Sequence, residues 1–309
     1  MTEADRIQRL VARFGAASDR VVVGTGDDAA AVRVAGGVTV TSVDAVVDRV
    51  HFDLATWPLA AVGHKAVAAA LSDIAAMGAD LGEVYVAAGI PRSLGEAEFD
   101  QLCDGIAAAA SGATIAGGDL TSADQLWLSV AVVGYAADEN AIVTRDGAKP
   151  GDVIVVTGTL GGSARALELI AEGAQHDDLR LQKQFAPQPR FGAGRALAAN
   201  GATAMIDISD GLARDAGHIG DASGVRLTIS LPQIPLDAGI EDAKFAAASG
   251  EEYELLATLP AEKLAQARAA VAETGVALTE IGRVEEGAGA ELQGTNGEAV
   301  AVRGFDHFD

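Results

Sequence analysis

The sequence predicts an α/β (α+β) protein of two mixed-sheet domains. Three observations lead there. At 309 residues the chain is long enough for two separate cores. Short β-branched runs alternate with Ala-rich helical runs in both halves. Between the halves, residues 136–140 and Asp146-Gly-Ala-Lys-Pro-Gly-Asp152 form a polar, turn-rich stretch with nothing to bury. The domains are therefore expected at 1–140 and 141–309.

Along the first half, Val21–Val23, Ala30–Val34 and Val38–Thr41 read as short strands, broken at Gly24-Thr-Gly-Asp-Asp28 and Gly36-Gly37. Val62–Met77 is Ala-rich with almost no polar face, which predicts a helix buried all round and ended by Gly78. A strand (83–89), a helix (94–111) and two strands (114–116 and 126–135) follow. The second half alternates again. Strands are expected at 153–157, 204–208, 225–230, 252–258 and 277–285, and helices at 161–172, 212–222 and 261–273, with a polyproline-like loop at Phe185-Ala-Pro-Gln-Pro-Arg190.

Composition narrows the function classes. Forty-four acidic residues against 22 Lys plus Arg give a formal charge of -22, which repels nucleic acid and anionic membranes and demands that any polyanionic ligand arrive with cations. Much of that charge is ordinary solvated surface. Cys103 is the single cysteine, so there is no disulfide framework and no thiolate metal cluster. Residues 1–6 lack a basic region followed by an apolar core, and no uninterrupted apolar run reaches membrane-spanning length. A cytoplasmic protein is expected.

Aspartates recur beside glycine or at the ends of apolar segments: Asp27 and Asp28, Asp44, Asp73, Asp119, Asp207 and Asp210. Each has an ordinary reading. Asp27, Asp28 and Asp119 fit turns, and Ser209-Asp210-Gly211 fits a helix cap. Asp73, inside an apolar helix, fits a salt bridge with Lys65 or an arginine as well as it fits a metal. Asp207 has no cap to make and calls for a cation. Together they suggest carboxylates around a hard ion, and magnesium prefers oxygen ligands and arrives with substrate phosphates. Asp27 is the one best left as a turn residue.

Two phosphate motifs fail. Gly24-Thr-Gly26-Asp-Asp-Ala29 imitates a dinucleotide loop, but aspartates block the approach and a strand follows where a helix is needed. No Gly-x-x-x-x-Gly-Lys-Ser/Thr occurs. Gly158-Thr-Leu-Gly161-Gly162-Ser163 is either a phosphate cradle at a helix start or a plain turn. His51 and Arg145 taken singly are ordinary core or surface residues.

The ordered set Gly26-Asp-Asp-Ala-Ala30, Asp44-x6-His51-Phe52, Lys65 to Asp80, Gly117-Gly-Asp119, Arg145-x-Gly-Ala-Lys-Pro-Gly-Asp152, Ile206-Asp-Ile-Ser-Asp-Gly-Leu212 and Gly250-Glu-Glu-Tyr-Glu-Leu255 resembles the thiamine-monophosphate kinase family. That family lies within the aminoimidazole ribonucleotide synthetase-like superfamily, and the resemblance spans nearly the whole chain. It implies N- and C-terminal domains of that superfamily and ATP-dependent phosphorylation of thiamine monophosphate to thiamine diphosphate. By position it implies several magnesium ions on Asp28, Ser42, Asp44, Asp73, Asp119, Asp207 and Asp210. ATP contacts fall at Gly118, Asp119, Arg145 and Ser209, and thiamine phosphate contacts at His51, Glu252 and Phe305. No residue is implied as a general base. A homodimer through the N-terminal domains is implied too.

Val43, Ala45, Arg49, Leu120 and Glu252 depart from the family pattern. Two rival readings stand beside it: another ATP-using synthetase of the superfamily, and a non-catalytic magnesium-nucleotide binder. Selenophosphate synthesis would call for a cysteine near the N-terminus, and Cys103 is misplaced for it.

Overall fold

The computed structural model describes residues 21–23, 27–110 and 112–305. Residues 1–20, the break expected at 24–26, the helix end expected at Ser111 and residues 306–309 lie outside them. Among the described residues there are two six-stranded mixed sheets. The first comprises β1 (Val21–Val23), β2 (Ala30–Val34), β3 (Gly37–Val47), β4 (Asp80–Pro91), β5 (Thr114–Ala123) and β6 (Trp127–Ala136), in the order β1-β2-β3-β6-β4-β5. Only β4 and β5 pair in parallel.

Helices α1 (Leu59–Ala76) and α2 (Glu96–Ala109) accompany this sheet. Alternation along β3 shows that one face is covered and the other open: Val38, Val40, Ser42 and Val46 are buried, while Val43 and Ala45 are exposed. β3 and β5 run well past their expected ends. Pairing with neighbours holds them extended where local sequence is weak, so Gly118 and Asp119 lie within a strand and not in a turn.

The second sheet comprises β7 (Val153–Thr157), β8 (Ala204–Asp207), β9 (Val225–Ser230), β10 (Leu255–Leu259), β11 (Leu278–Glu286) and β12 (Gly289–Gln293), in the order β12-β9-β11-β7-β10-β8. Its helices are α3 (Gly162–Ala171), α4 (Gln182–Phe185), α5 (Phe191–Ala199), α6 (Leu212–Ser223), α7 (Ala243–Ala248) and α8 (Leu264–Ala272). Every residue of β7, β8 and β10 is buried, because the sheet is covered on both faces. Ile154, Val156 and Ile206 pack with Leu212, Ala216 and Ile219 of α6, whereas Val153, Val155 and Met205 pack with Ala193 and Leu197 of α5 and Ala267 and Val271 of α8. The sequence reading missed α4, α5, α7 and β12, all short, so that none carries enough periodicity to stand out.

Helix α1 joins the two halves. It packs on α2, β3 and β6 and also on α5 and β8, which is why fifteen of its eighteen residues are buried. It is long and apolar enough to cross a membrane, yet 83% of it is buried inside the fold. Glycines permit its close crossings. A Cβ on Gly105 of α2 would sit 1.9 Å from the Ala60 carbonyl oxygen, and one on Gly194 of α5 would sit 2.1 Å from that of Ala75.

Candidate active site

Where α1 meets β8, a cavity of about 980 Å³ opens between the two sheets. Asp28 reaches it from the bend before β2, Asp73 from α1 and Asp207 from the end of β8, and their carboxylate oxygens lie within 4.8 Å of one another. Burial, then the charges of Asp207 and Asp28, hold the Asp73 carboxyl well above its ordinary value, against the hydroxyl of Ser42, which donates to it. Burial and Asp28 push Asp207 up to about 7. Such mutual repulsion in a buried site is relieved by a shared cation. Among the described residues no cation pairs with Asp73, and Lys65 pairs instead with Glu251 at 2.6 Å.

Arg145 binds Asp28 through Nε at 3.0 Å and Nη2 at 2.7 Å. Burial opposes its charge, but Asp28 and Asp27 outweigh that and raise the guanidinium above its usual value. Asp27 is more than a turn residue. It accepts the amide of Arg145 at 3.0 Å, and burial pushes its own carboxyl up to about 6. The pair of aspartates thus anchors Arg145 across the domain junction.

Ser42, Asp44, Ser209 and Asp210 line the same cavity. Asp44 lies two residues beyond Ser42 on β3 and so faces the same side of the sheet. Asp210 also lies close to Asp215 and His218, a second group with metal-ligand geometry. The sequence reading missed those two, although their i, i+3 spacing puts them on one side of α6.

Aromatic and strained residues complete the lining. His51, Trp57, Phe305, Glu251 and Tyr253 are among them, with the Phe305 amide donating to the Asp210 carbonyl at 2.9 Å and that of Glu251 to the Ser209 carbonyl at 2.7 Å. Three non-glycine residues among those described have positive φ, Arg49 (63°), Glu251 (56°) and Tyr253 (52°), and all three line this one cavity. Left-handed backbone disfavours L-residues and persists where surrounding structure enforces it, often at functional sites. His51 Nδ1 accepts the Val47 amide at 3.1 Å, which places the proton of the neutral ring on Nε2.

Four predicted site residues stand apart from this lining. Glu252 lines a smaller neighbouring cavity of about 320 Å³, where one carboxylate oxygen accepts the amides of Gly161 and Ser163 and the hydroxyl of Ser249. Gly118 and Asp119 lie exposed on edge strand β5. Asp119 is in register with Ala87, Ser129 and Ala45 on the open face of the first sheet, three strand spacings from β3, or about 14 Å. Arg145 sits behind Asp28 and is not part of the cavity lining.

Comparison with known proteins fits this arrangement. Residues 26–136 match the N-terminal domain of the AIR synthase related protein family, and residues 149–295 match its C-terminal domain. The thiamine-monophosphate kinase of Halobacterium salinarum is 36% identical over 292 residues, covering 91% of this chain and 94% of that one. The chain belongs to the thiamine-monophosphate kinase family. The Mycobacterium tuberculosis family member is 42% identical over 231 residues, 74% of this chain and 68% of its own. Among solved structures, AaThiL complexed with AMPPCP and TMP superposes with a TM-score of 0.87 at 29% identity, covering 99% of this chain and 97% of that one. The thiamine-monophosphate kinase family fold therefore extends over both sheets, as the resemblance implied.

Proposed function

We infer that the interdomain cavity is where this chain transfers the γ-phosphoryl group of ATP to thiamine monophosphate, giving thiamine diphosphate. Family membership supports the reaction. The observation that carries the site is the meeting of Asp28, Asp73 and Asp207 with no cation paired to Asp73 or Asp207 among the described residues. An all-oxygen, buried donor set fits magnesium. Asp28, Asp73 and Asp207 would hold it with Ser42, Asp44 and Asp210, and when bound it supplies the charge neutralisation that lets two phosphates approach.

The chain's own residues do the rest. Asp27 and Asp28 fix Arg145 beside the carboxylates, so a permanent positive charge remains at the nucleotide end. Ser209, which the resemblance gives to ATP, lines the cavity. His51, Trp57 and Phe305 line the same cavity, and the resemblance gives His51 and Phe305 to the thiamine phosphate. A phosphate acceptor is already anionic near neutral pH, so alignment and charge compensation matter more than a general base. The parts given to Gly118, Asp119 and Glu252 rest on the family resemblance.

Domains at 1–140 and 141–309, a homodimer and a cytoplasmic location belong to the same reading. The open face of the first sheet supports dimerisation: Val43, Ala131 and Tyr85 lie in register across β3, β6 and β4, and Val43 is 66% exposed. Val43 also forms part of the cavity rim, so this face adjoins the site. The acidic charge argues against nucleic-acid or membrane partners.

Incubation with ATP, magnesium and thiamine monophosphate should yield thiamine diphosphate, and chelation should stop it. Folded protein that makes none would sink the reading.

A further inference from the structure

We propose that Lys65 is the positioning residue of the acceptor half of the cavity, holding its two walls in register across the domain junction. The proposal rests on the acceptor site described above. Lys65 is 1% exposed and does not itself line the cavity, so it acts through others. All three ammonium donors are used: His51 carbonyl oxygen at 3.1 Å, Gln184 Oε1 at 2.9 Å and Glu251 Oε1 at 2.6 Å. The Trp57 ring closes the remaining side at 4.8 Å.

The four partners come from three places. His51 and Trp57 belong to the loop between β3 and α1, Gln184 to α4, and Glu251 to the loop before β10. Gln184 extends the link. Its Nε2 donates to Glu251 Oε2 at 2.9 Å and to Ser163 Oγ at 2.6 Å, and the Ser163 hydroxyl donates to the Gly250 carbonyl at 2.7 Å. Every member of this buried chain is satisfied by another, which rigidifies it.

The two loops so joined carry the strained residues, Arg49 in one and Glu251 with Tyr253 in the other. Strained backbone needs over-determined surroundings, and Lys65 bonds both loops at once. A buried ion pair contributes little net stability and more to registry. Loss of Lys65 should therefore loosen the two loops that carry His51 and Glu251, while Arg145, held by Asp27 and Asp28, keeps its place.

The test is steady-state kinetics of Lys65→Met, with ATP and thiamine monophosphate varied separately. The KM for thiamine monophosphate should rise tenfold or more and that for ATP stay within twofold. Should Lys65→Met fold poorly, Lys65→Met/Glu251→Gln removes the unpaired charge, and it should regain thermal stability while the acceptor KM stays high. An unchanged acceptor KM, an equal rise in both KM values, or a double variant that regains wild-type acceptor KM along with stability would overturn the proposal. If neither variant folds, hydrogen exchange on the wild-type protein decides. Amides of 49–52 and 249–254 should gain protection together on adding thiamine monophosphate, and protection of one loop alone overturns it. Wild-type protein that makes no thiamine diphosphate overturns the functional reading itself, whereas an active wild type with any of the contrary results above overturns only the role of Lys65.

Discussion

Glu254 and Asp207 are close neighbours across the β10–β8 edge, where Leu255 pairs with Asp207, and both are buried. Their company is opposite. Glu254 is held by Arg190 at 2.5 and 2.8 Å, by the Thr157 hydroxyl at 2.8 Å and by Lys183 at 3.4 Å. Asp207 faces the carboxylates of Asp28 and Asp73. Burial of an acid is thus no sign of function by itself. The sign of its partners is: a carboxylate facing only cations completes the fold, and one that faces other carboxylates, as Asp28 does even with Arg145 bound to it, is kept for a ligand.

The largest expected effect tests the ligand side. Asp73→Asn should lower kcat about a thousandfold, equivalent to about 4 kcal/mol of transition-state stabilisation, because the charge that neutralises the phosphates is no longer held. In chelator the same variant should unfold no more easily than the wild type, since it removes a repelled charge from a buried site. Magnesium should raise the melting temperature of the wild type and hardly that of the variant. Normal turnover combined with easier unfolding would move Asp73 into the class of Glu254.

The structural side gives the next effect. Glu254→Gln strips Arg190 and Lys183 of their buried counter-charge and should cost about 3 kcal/mol in urea unfolding. The KM values of folded protein should move little. If the variant were as stable as the wild type but inactive, partner sign would not separate the two kinds of acid.

Some of this contrast was legible in the sequence. Asp207 at the end of an apolar strand and Asp73 within an apolar helix violate local preference, and that conflict pointed to the site. The buried helix was legible for the same reason, because Ala-rich sequence with no polar face has one place to go. What escaped depended on contacts far along the chain. Lys65 finds Glu251 and not Asp73, and Asp27 finds the amide of Arg145, 118 residues away. Helix α5, Phe-Gly-Ala-Gly-Arg-Ala-Leu-Ala-Ala, carries two glycines that argue locally against a helix, and one of them, Gly194, is there because it lets α1 approach. Propensity is local, and these pairings are not.

Glu252 sits between the two classes and sharpens the boundary. One oxygen accepts three donors, but Oε2 is buried without a hydrogen-bond partner, and Lys183 is 4.0 Å away. Burial therefore dominates and pushes its carboxyl up from 4.5 to about 7. The folded state binds this proton more tightly than the unfolded chain does. Its contribution to stability is fully present below pH 4.5, is lost as pH rises through 7 and is absent above that. A shift of this size corresponds to about 3 kcal/mol at most. Glu252→Gln has no proton to lose, so the stability difference between variant and wild type should swing in favour of the variant by up to that amount between pH 4.5 and pH 8, the other groups titrating alike in both. Urea unfolding at several pH values measures it directly. A flat difference would mean that Lys183 closes on Oε2 in solution and that Glu252 belongs with Glu254. A full swing would make it an acid left short of a partner, the condition that it shares with Asp207.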